Sequence, residues 1–288
     1  MKIAPLLLLI ILTACSERPA KLTTRDYVTV GKMMDTVKTP YVLDVQNGDK
    51  RVIFVGCEHV YDDTTHPQFK KMEMLFQALK PEIAFNEGGQ VNKKYASKSS
   101  AIMANGETGM LKFCADKAGI QMLNGDLQDS LEFKTMLKKV PREQLYLYFV
   151  VERIIGPYAM GAYREKTFDE NVQQKIKKWF VDEGFPLAKN EQDLAYFKRL
   201  YKKYLGKDFN YTGKEYRVED FDLEDFDYIN DNCKFCAIGR ISKEVRDSVL
   251  LSKIDNALNK YDRVFVTFGH GHALAVELAL REIVRRKR

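Results

Sequence analysis

The chain has 288 residues, 45% hydrophobic and 30% charged, with a formal net charge of +6. That is enough to bury a full core, as one large domain or two small ones. The cation surplus is mild and is interrupted by acidic blocks such as VEDFDLEDFD (218–227), so there is no continuous nucleic-acid footprint and no nucleic-acid partner is expected.

In the first fourteen residues Lys2 is the only charge, and IAPLLLLIILTA is an apolar run too short to span a bilayer comfortably. It ends in Leu12-Thr13-Ala14-Cys15, which resembles the bacterial lipobox. The expectation is a lipoprotein signal peptide over 1–14 and lipidation of Cys15, with acyl chains such as palmitate tethering the chain to a membrane. An ordinary secretory signal, or an uncleaved anchor, is the alternative. The expected location is the bacterial cell envelope, lipid-anchored on its periplasmic or outer-surface face. Residues 15–40, polar over about 16–25, are expected to be a linker, and 41–288 a single α/β domain.

YVLDV (41–45) and RVIFVG (51–56) read as strands around an Asn47-Gly48 turn, a good hairpin signal. The second run is continuously apolar, as suits a strand buried on both faces. His66–Lys80 carries Phe69, Met72, Leu75, Phe76 and Leu79 at helical spacing, and Pro81 stops it. EIAFNEGG (82–89) is the next strand with its exit loop. A helix around 99–118 leads to IQMLNGD (120–126), a third strand. The β-α-β-α-β series predicts a mostly parallel sheet with covering helices. From about 127 to 238 the pattern becomes helical, broken at Pro141, Gly156-Pro157 and Gly184-Phe185-Pro186, and is read as a large helical insertion. A helix over 241–261, a buried strand RVFVTFG (263–269) and a helix from His272 close the chain. The basic tail REIVRRKR (281–288) suits a helix C-terminus; contact with anionic lipid is the weaker alternative.

Of five cysteines, Cys233-Lys-Phe-Cys236 is read as a local disulfide or two thiols, with a redox pair or half of a zinc site as alternatives. Cys57 beside His59 suggests a thiol nucleophile, but neighbouring positions on an extended strand point apart.

In open parallel sheets, sites form where strands end. The predicted parallel strands end in Gly56-Cys57-Glu58-His59, Asn86-Glu87-Gly88-Gly89, Gly125-Asp126 and Gly269-His270-Gly271-His272. Each therefore delivers a carboxylate, an imidazole or both to one edge. Singly these are weak signals: Glu87 or Asp126 could cap a helix, and His66 precedes a Pro at a helix start. His272 points back toward the strand ends, His270 the other way, and Glu277 reads as a surface charge. Imidazoles with a carboxylate are suitable ligands for zinc, manganese or iron, and such an ion makes hydroxide near neutral pH. Without metal, the same residues could serve as general bases.

The ordered set, a GxxH after the first buried strand (Gly56–His59), a Glu ending the next (Glu87), an Arg-bearing helix (EVRDSVLLSKI) and a second GxxH (Gly269–His272), resembles the TraB/TIKI-type superfamily. That superfamily also embraces erythromycin-esterase-like and ChaN-like proteins. The likeness covers roughly 41–126 and 240–285. It implies a metal-dependent hydrolase, with manganese, cobalt or zinc, cleaving an amide or ester bond of a peptide or small-molecule substrate. His59, Glu87 and His272 would be metal ligands or catalytic bases, with His270 and Asp126 as weaker ligands. Arg246 would bind a substrate carboxylate or oxyanion. Asp247 departs from the pattern, standing where many members carry Asn. ChaN-like members are haem-binding lipoproteins, so the alternative is a haem- or ligand-binding lipoprotein without catalysis, in which histidines or tyrosines would hold the iron.

Overall fold

The computed structural model describes residues 22–60, 63–159, 167–209 and 223–287. The expected signal peptide, Cys15 and the first part of the acidic block lie outside them.

The β-hairpin forms as its turn residues dictate. Strands β1 (Tyr41–Asn47) and β2 (Lys50–Cys57) pair antiparallel, with Asn47 opposite Lys50. Gly48, at the first central position, takes φ +58°, the left-handed backbone a type II′ turn places there. β2 then lies parallel to β5 (Arg263–Gly269), which is parallel to β3 (Ile83–Asn86), which is parallel to β4 (Gln121–Asn124). The sheet order is β1-β2-β5-β3-β4, so the chain is α/β with a mostly parallel sheet, as its pattern predicts.

Alternation along the strands sends side chains to two apolar layers. On one face Val52, Phe54, Phe85, Val264 and Val266 meet α9 (Cys236–Ala257) and α10 (His270–Arg286) through Leu250, Ile254, Val276 and Leu280. On the other, Ile53, Val55, Ala84 and Phe265 meet α2 (Pro67–Leu79) and α3 (Lys98–Ala118) through Phe69, Met72, Met110 and Leu111. Each fully buried Val, Leu, Ile or Phe contributes about 1.5–3 kcal/mol. α2 is capped as its sequence suggests: His66 accepts from the Gln68 N–H, Pro67 opens the helix, and Lys80 closes it with φ 49°.

β4 is the sheet's edge. The Gln90 side chain takes the place of a next strand there: Nε2 donates to Met122 O (2.9 Å) and Oε1 accepts from Asn124 N (2.9 Å).

Between β4 and α9 the described residues hold helices and no strand: α4 (Asp129–Met136), α5 (Arg142–Val150), α6 (Gly156–Ala159), α7 (Phe168–Ile176) and α8 (Leu194–Leu205). They enclose an aromatic cluster of their own, in which Phe133 meets Phe185 edge-on at 5.0 Å and Phe180 in a stack at 5.6 Å. Cys233 and Cys236 form the local disulfide at the start of α9, while Cys57 and Cys114 are free. Among the described residues no helix is long and apolar enough to cross a membrane.

The segment expected as a linker over 15–40 contains a helix, α1 (Tyr27–Met34), capped by Asp26. It packs on α10 through Tyr27, Val30, Leu274 and Ala275. Polar residues beside it also anchor the segment. One is Arg25, whose N–H donates to Ala275 O (2.9 Å) and whose guanidinium pairs with Glu277 (2.8 Å). Glu277, read as a surface charge, is instead half-buried and also accepts from Tyr41.

α3 bends at Asn105 (φ −151°) and Gly106 (φ +51°), and Gly109 closes the bend against the preceding turn. A Cβ at Gly109 would lie 1.9 Å from the Ala101 carbonyl oxygen. Gly109→Ala is therefore expected to destabilise the fold by about 1–3 kcal/mol through forced backbone movement. A shift of the urea midpoint to lower concentration would register it; an unchanged midpoint would show the bend to be soft.

Candidate functional site

The carboxyl ends of β2, β5, β3 and β4 stand side by side; β2, β5 and β3 pass directly into a polar residue, and β4 reaches Asp126 after Gly125. Glu87 follows β3 and is fixed by its own backbone: its N–H donates to Thr267 O (3.2 Å) and its carbonyl accepts from Thr108 Oγ1 (3.0 Å) and Asn86 Nδ2 (2.8 Å). Its carboxylate bridges two elements. Oε2 accepts from the Gly269 N–H at 2.5 Å, and Oε1 accepts from Arg246 Nη2 at 2.6 Å. Arg246, from α9, also grips Asp126 with two donors, Nε (2.8 Å) and Nη2 (2.6 Å). One guanidinium thus ties the ends of β3 and β4 to α9. Burial would raise the Glu87 carboxyl, but Arg246 first, then His272, His59 and Lys243, hold it far below the usual carboxylate range. Burial likewise opposes Asp126, and Arg246 overcomes it. Asp126 is not the cap it might have been: α4 begins only at Asp129, after Gln128.

Two histidines flank this carboxylate, each steered from behind. His272, third residue of α10, lies 2.6 Å through Nδ1 from Asp247 Oδ1. A carboxylate only accepts, so Nδ1 carries the proton and Nε2 is the working end. Nε2 is buried, has no hydrogen-bond partner, and lies 3.6 Å from Glu87 Oε1. Tyr27 donates to the other oxygen of Asp247 (2.7 Å), with its hydroxyl 3.1 Å from His272 Nδ1. His59, in the exit of β2, lies 2.8 Å through Nδ1 from Glu107 Oε1. Its side chain is 51% exposed, while Glu107 is 4% exposed. The hydrogen bond that His59 donates to Glu107, against desolvation and aided by the charges of Glu107 and Glu87, raises His59 to about 9. Its Nε2 and Glu87 Oε2 lie 3.5 and 3.2 Å from the point where a Gly269 Cβ would stand, so only glycine leaves that junction open. Gly56 of the first motif is required for packing, since its Cβ would meet that of Ala273 at 2.7 Å.

The structure therefore brings His59, Glu87, Asp126, Arg246 and His272 together. His270 stays apart, its ring 6.1 Å from Tyr41 and its basicity lowered by burial, with Glu58 partly opposing. Cys57 faces the opposite apolar layer beside Met72, and burial raises its thiol well above the usual range, which removes it as a nucleophile. Three residues escape sequence reasoning: Tyr27 hidden in the expected linker, Glu107 brought inward by the bend of α3, and Lys243. The last donates to Glu152 (3.0 Å) and lies 4.8 Å over the Tyr228 ring. Gly106, a glycine inside a helical pattern, was the one local signal for Glu107.

For a divalent ion, the donor types suit and the positions do not. Imidazoles steered through Nδ1 by carboxylates are the usual surroundings of metal-bound histidine. Yet both Glu87 oxygens are engaged, and among the described residues no group of three or more His, Cys, Asp or Glu is arranged to hold an ion. Compared with protein-family models, curated proteins and solved structures, the chain matches none.

The His59–Glu107 pair sets a pH dependence of stability. A folded-state value raised from 6.5 to about 9 means its stabilisation is fully present below pH 6.5 and is lost as pH rises through about 9. The thermal midpoint is expected to fall between pH 6.5 and 9.5, and to fall less in His59→Gln. Equal losses in the two proteins would show that the pair does not couple folding to protons.

Proposed function

We propose that this chain is a hydrolase that cleaves an ester or amide bond, with peptides as the substrate class. The observation that carries this reading is the pair of histidines anchored at Nδ1 by carboxylates, with both Nε2 atoms set about the arginine-clamped Glu87. Asp247 fixes the His272 tautomer so that Nε2 accepts the proton of an attacking water as its oxygen bonds to the substrate carbonyl carbon. Half-exposed His59, held protonated at neutral pH by Glu107, donates its Nε2 proton to the leaving oxygen or nitrogen. Arg246 keeps Nη1 outside its two ion pairs, and that nitrogen, with the His59 cation, faces the negative charge that develops on the carbonyl oxygen. Glu87 is too weak a base to take a proton; it holds Arg246 and the Gly269 amide in register.

A second reading keeps a divalent metal (manganese, cobalt or zinc) on His59, Glu87 and His272, favoured by the unpartnered Nε2 of His272. Such an ion would supply hydroxide at neutral pH, and would require Glu87 to release Arg246. A haem-binding lipoprotein without catalysis is the reading from outside enzymology.

Turnover of 4-nitrophenyl butyrate and of a fluorescence-quenched peptide library is the test. His59→Ala and His272→Ala are each expected to lower kcat about 10²–10⁴-fold. The rate is expected to decline as pH passes about 9, where His59 loses its proton. Stoichiometric metal, together with activity abolished by a chelator, would transfer the assignment to the metal reading. A Soret band on adding haem, without turnover of either probe, would sink the hydrolase.

The location proposed is the bacterial cell envelope, with the chain held by lipid on Cys15 and no nucleic acid among its partners. Cys15→Ser should move the protein from the membrane to the soluble fraction, and its retention in the membrane fraction would refute the anchor.

A further inference from the structure

On the Glu107 side of His59, three buried oxygens find no hydrogen-bond partner among the described residues: Asn86 Oδ1, Glu107 Oε2 and Thr267 Oγ1. Their residues are 0%, 3% and 0% exposed. Buried polar groups are nearly always paired, and one left unpaired bears the full penalty of its lost hydration. Three such atoms in one neighbourhood point to a guest.

Their neighbours bring the three together. Thr267 of β5 and Asn86 of β3 are register partners, and alternation turns both, with Phe265 and Ala84, toward the layer of α2 and α3. Asn86 Nδ2 (2.8 Å) and Thr108 Oγ1 (3.0 Å) donate to the same carbonyl, Glu87 O, so the Asn86 amide meets α3 next to Glu107. Glu107 Oε1 accepts from His59 at the exit of β2. Because β5 lies between β2 and β3, Glu107 spans the end of β5, on the face where Thr267 points. The Asn86 amide is also fixed in sense. Its nitrogen donates to the carbonyls of Glu87 and Gly89 (2.7 Å), so an acceptor oxygen is what it offers to this place.

A carboxylate, an amide carbonyl and a hydroxyl are all hard oxygen acceptors. Thr267 alone among them carries a proton, and it gives that proton to neither of the others. They stand apart, as ligands around a common guest do. The surroundings carry surplus negative charge. Glu87, Glu107, Asp126 and Asp247 gather about Arg246 and the His59 cation, four carboxylates to two cations. The charges behind do not redress this, because Lys243, Arg153 and Lys253 are matched by Glu152, Glu132 and Asp129. We infer that the three oxygens bind a monovalent alkali cation, sodium or potassium, seated between β5, β3 and the bend of α3. One carboxylate, already shared with His59, suits neither calcium, which takes about 6–8 oxygens, nor magnesium, which keeps several of its own waters. The absence of nitrogen and sulfur from the set disfavours a transition metal. The ion would hold Glu107 against the sheet and so set the position of His59. This inference goes beyond the hydrolase reading and does not depend on it.

Thermal unfolding of the full-length protein is followed in sodium, potassium and choline chloride at equal ionic strength, choline being too large for the place. Sodium or potassium is expected to raise the midpoint above that in choline by about 2–4 °C, and the rise to grow with the logarithm of concentration. Thr267→Ser, which keeps the oxygen, is expected to keep this response. Thr267→Val, similar in shape but without the acceptor, is expected to lose at least about half of it. Thallium NMR of the unaltered protein, with the thallous ion standing in for potassium, is expected to show a bound resonance that potassium displaces. That measurement and the comparison of salts decide the matter even where Thr267→Val does not fold. Neither reads turnover, so their failure leaves the hydrolase reading standing, and loss of the hydrolase leaves the ion. Equal midpoints in the three salts, which would assign the oxygens to a bridging water, would overturn the inference. So would a rise produced by magnesium or calcium alone, or an undiminished response in Thr267→Val.

Discussion

The site depends on one guanidinium. Arg246 neutralises two buried carboxylates that emerge from adjacent strands, and without it Glu87 and Asp126 would confront each other in a region of low dielectric. Leaving buried charge uncompensated costs several kcal/mol, a large share of the stability of an ordinary domain. The contact is therefore structural and chemical at once. It fixes the height of β3 and β4 relative to α9, and it leaves Glu87 Oε2 directed at the Gly269 amide, where α10 begins. The helix that carries His272 thus receives its position partly from the same arginine.

A second tier of charge lies behind the first. Lys243, Glu152, Arg153 and Glu132 continue from Arg246 into the helices that follow β4, and Ser242 closes the chain on Glu132 at 2.5 Å. Ser242, Lys243 and Arg246 lie in the first half of α9, and Leu250 and Ile254, farther along much the same side, pack on the sheet. α9 is thus ionic along its first turns and apolar farther along. Cys236, bonded to Cys233, starts this helix and secures the segment carrying Tyr228, whose ring touches both Tyr27 and Lys243.

Much of this was legible in the residues. Continuous apolar runs in β2 and β5 announce strands covered on both faces, and the polar residues that end them announce the site edge. His59, Glu87, Asp126 and His272 could be gathered because each follows the end of a strand, whereas Arg246 entered only through the resemblance. What stayed hidden depends on tertiary contact rather than local pattern. Tyr27 lies in a short helix with polar flanks whose apolar side is visible only once α10 is beside it. Glu107 looks like an ordinary helical acid until the bend at Asn105-Gly106 is known. The separation of His270 from His272 follows helical geometry, since two residues apart on a helix point about 160° away from each other. That His272 would be steered by Asp247 could not be read at all, because the two meet across 25 residues through the packing of α10 against α9.

The hydrogen bond between Tyr27 and the Asp247–His272 pair also has a temporal meaning. Its partners are separated by 220 and 245 positions, so α1 must wait for α9 and α10. Contacts of such long sequence separation form late and slowly. Every product of interrupted synthesis that stops short of α10 lacks His272, and leaves Tyr27 and Asp247 without the imidazole they share. The imidazole, the carboxylate that orients it and the tyrosine behind both therefore come together only once α1, α9 and α10 are all present.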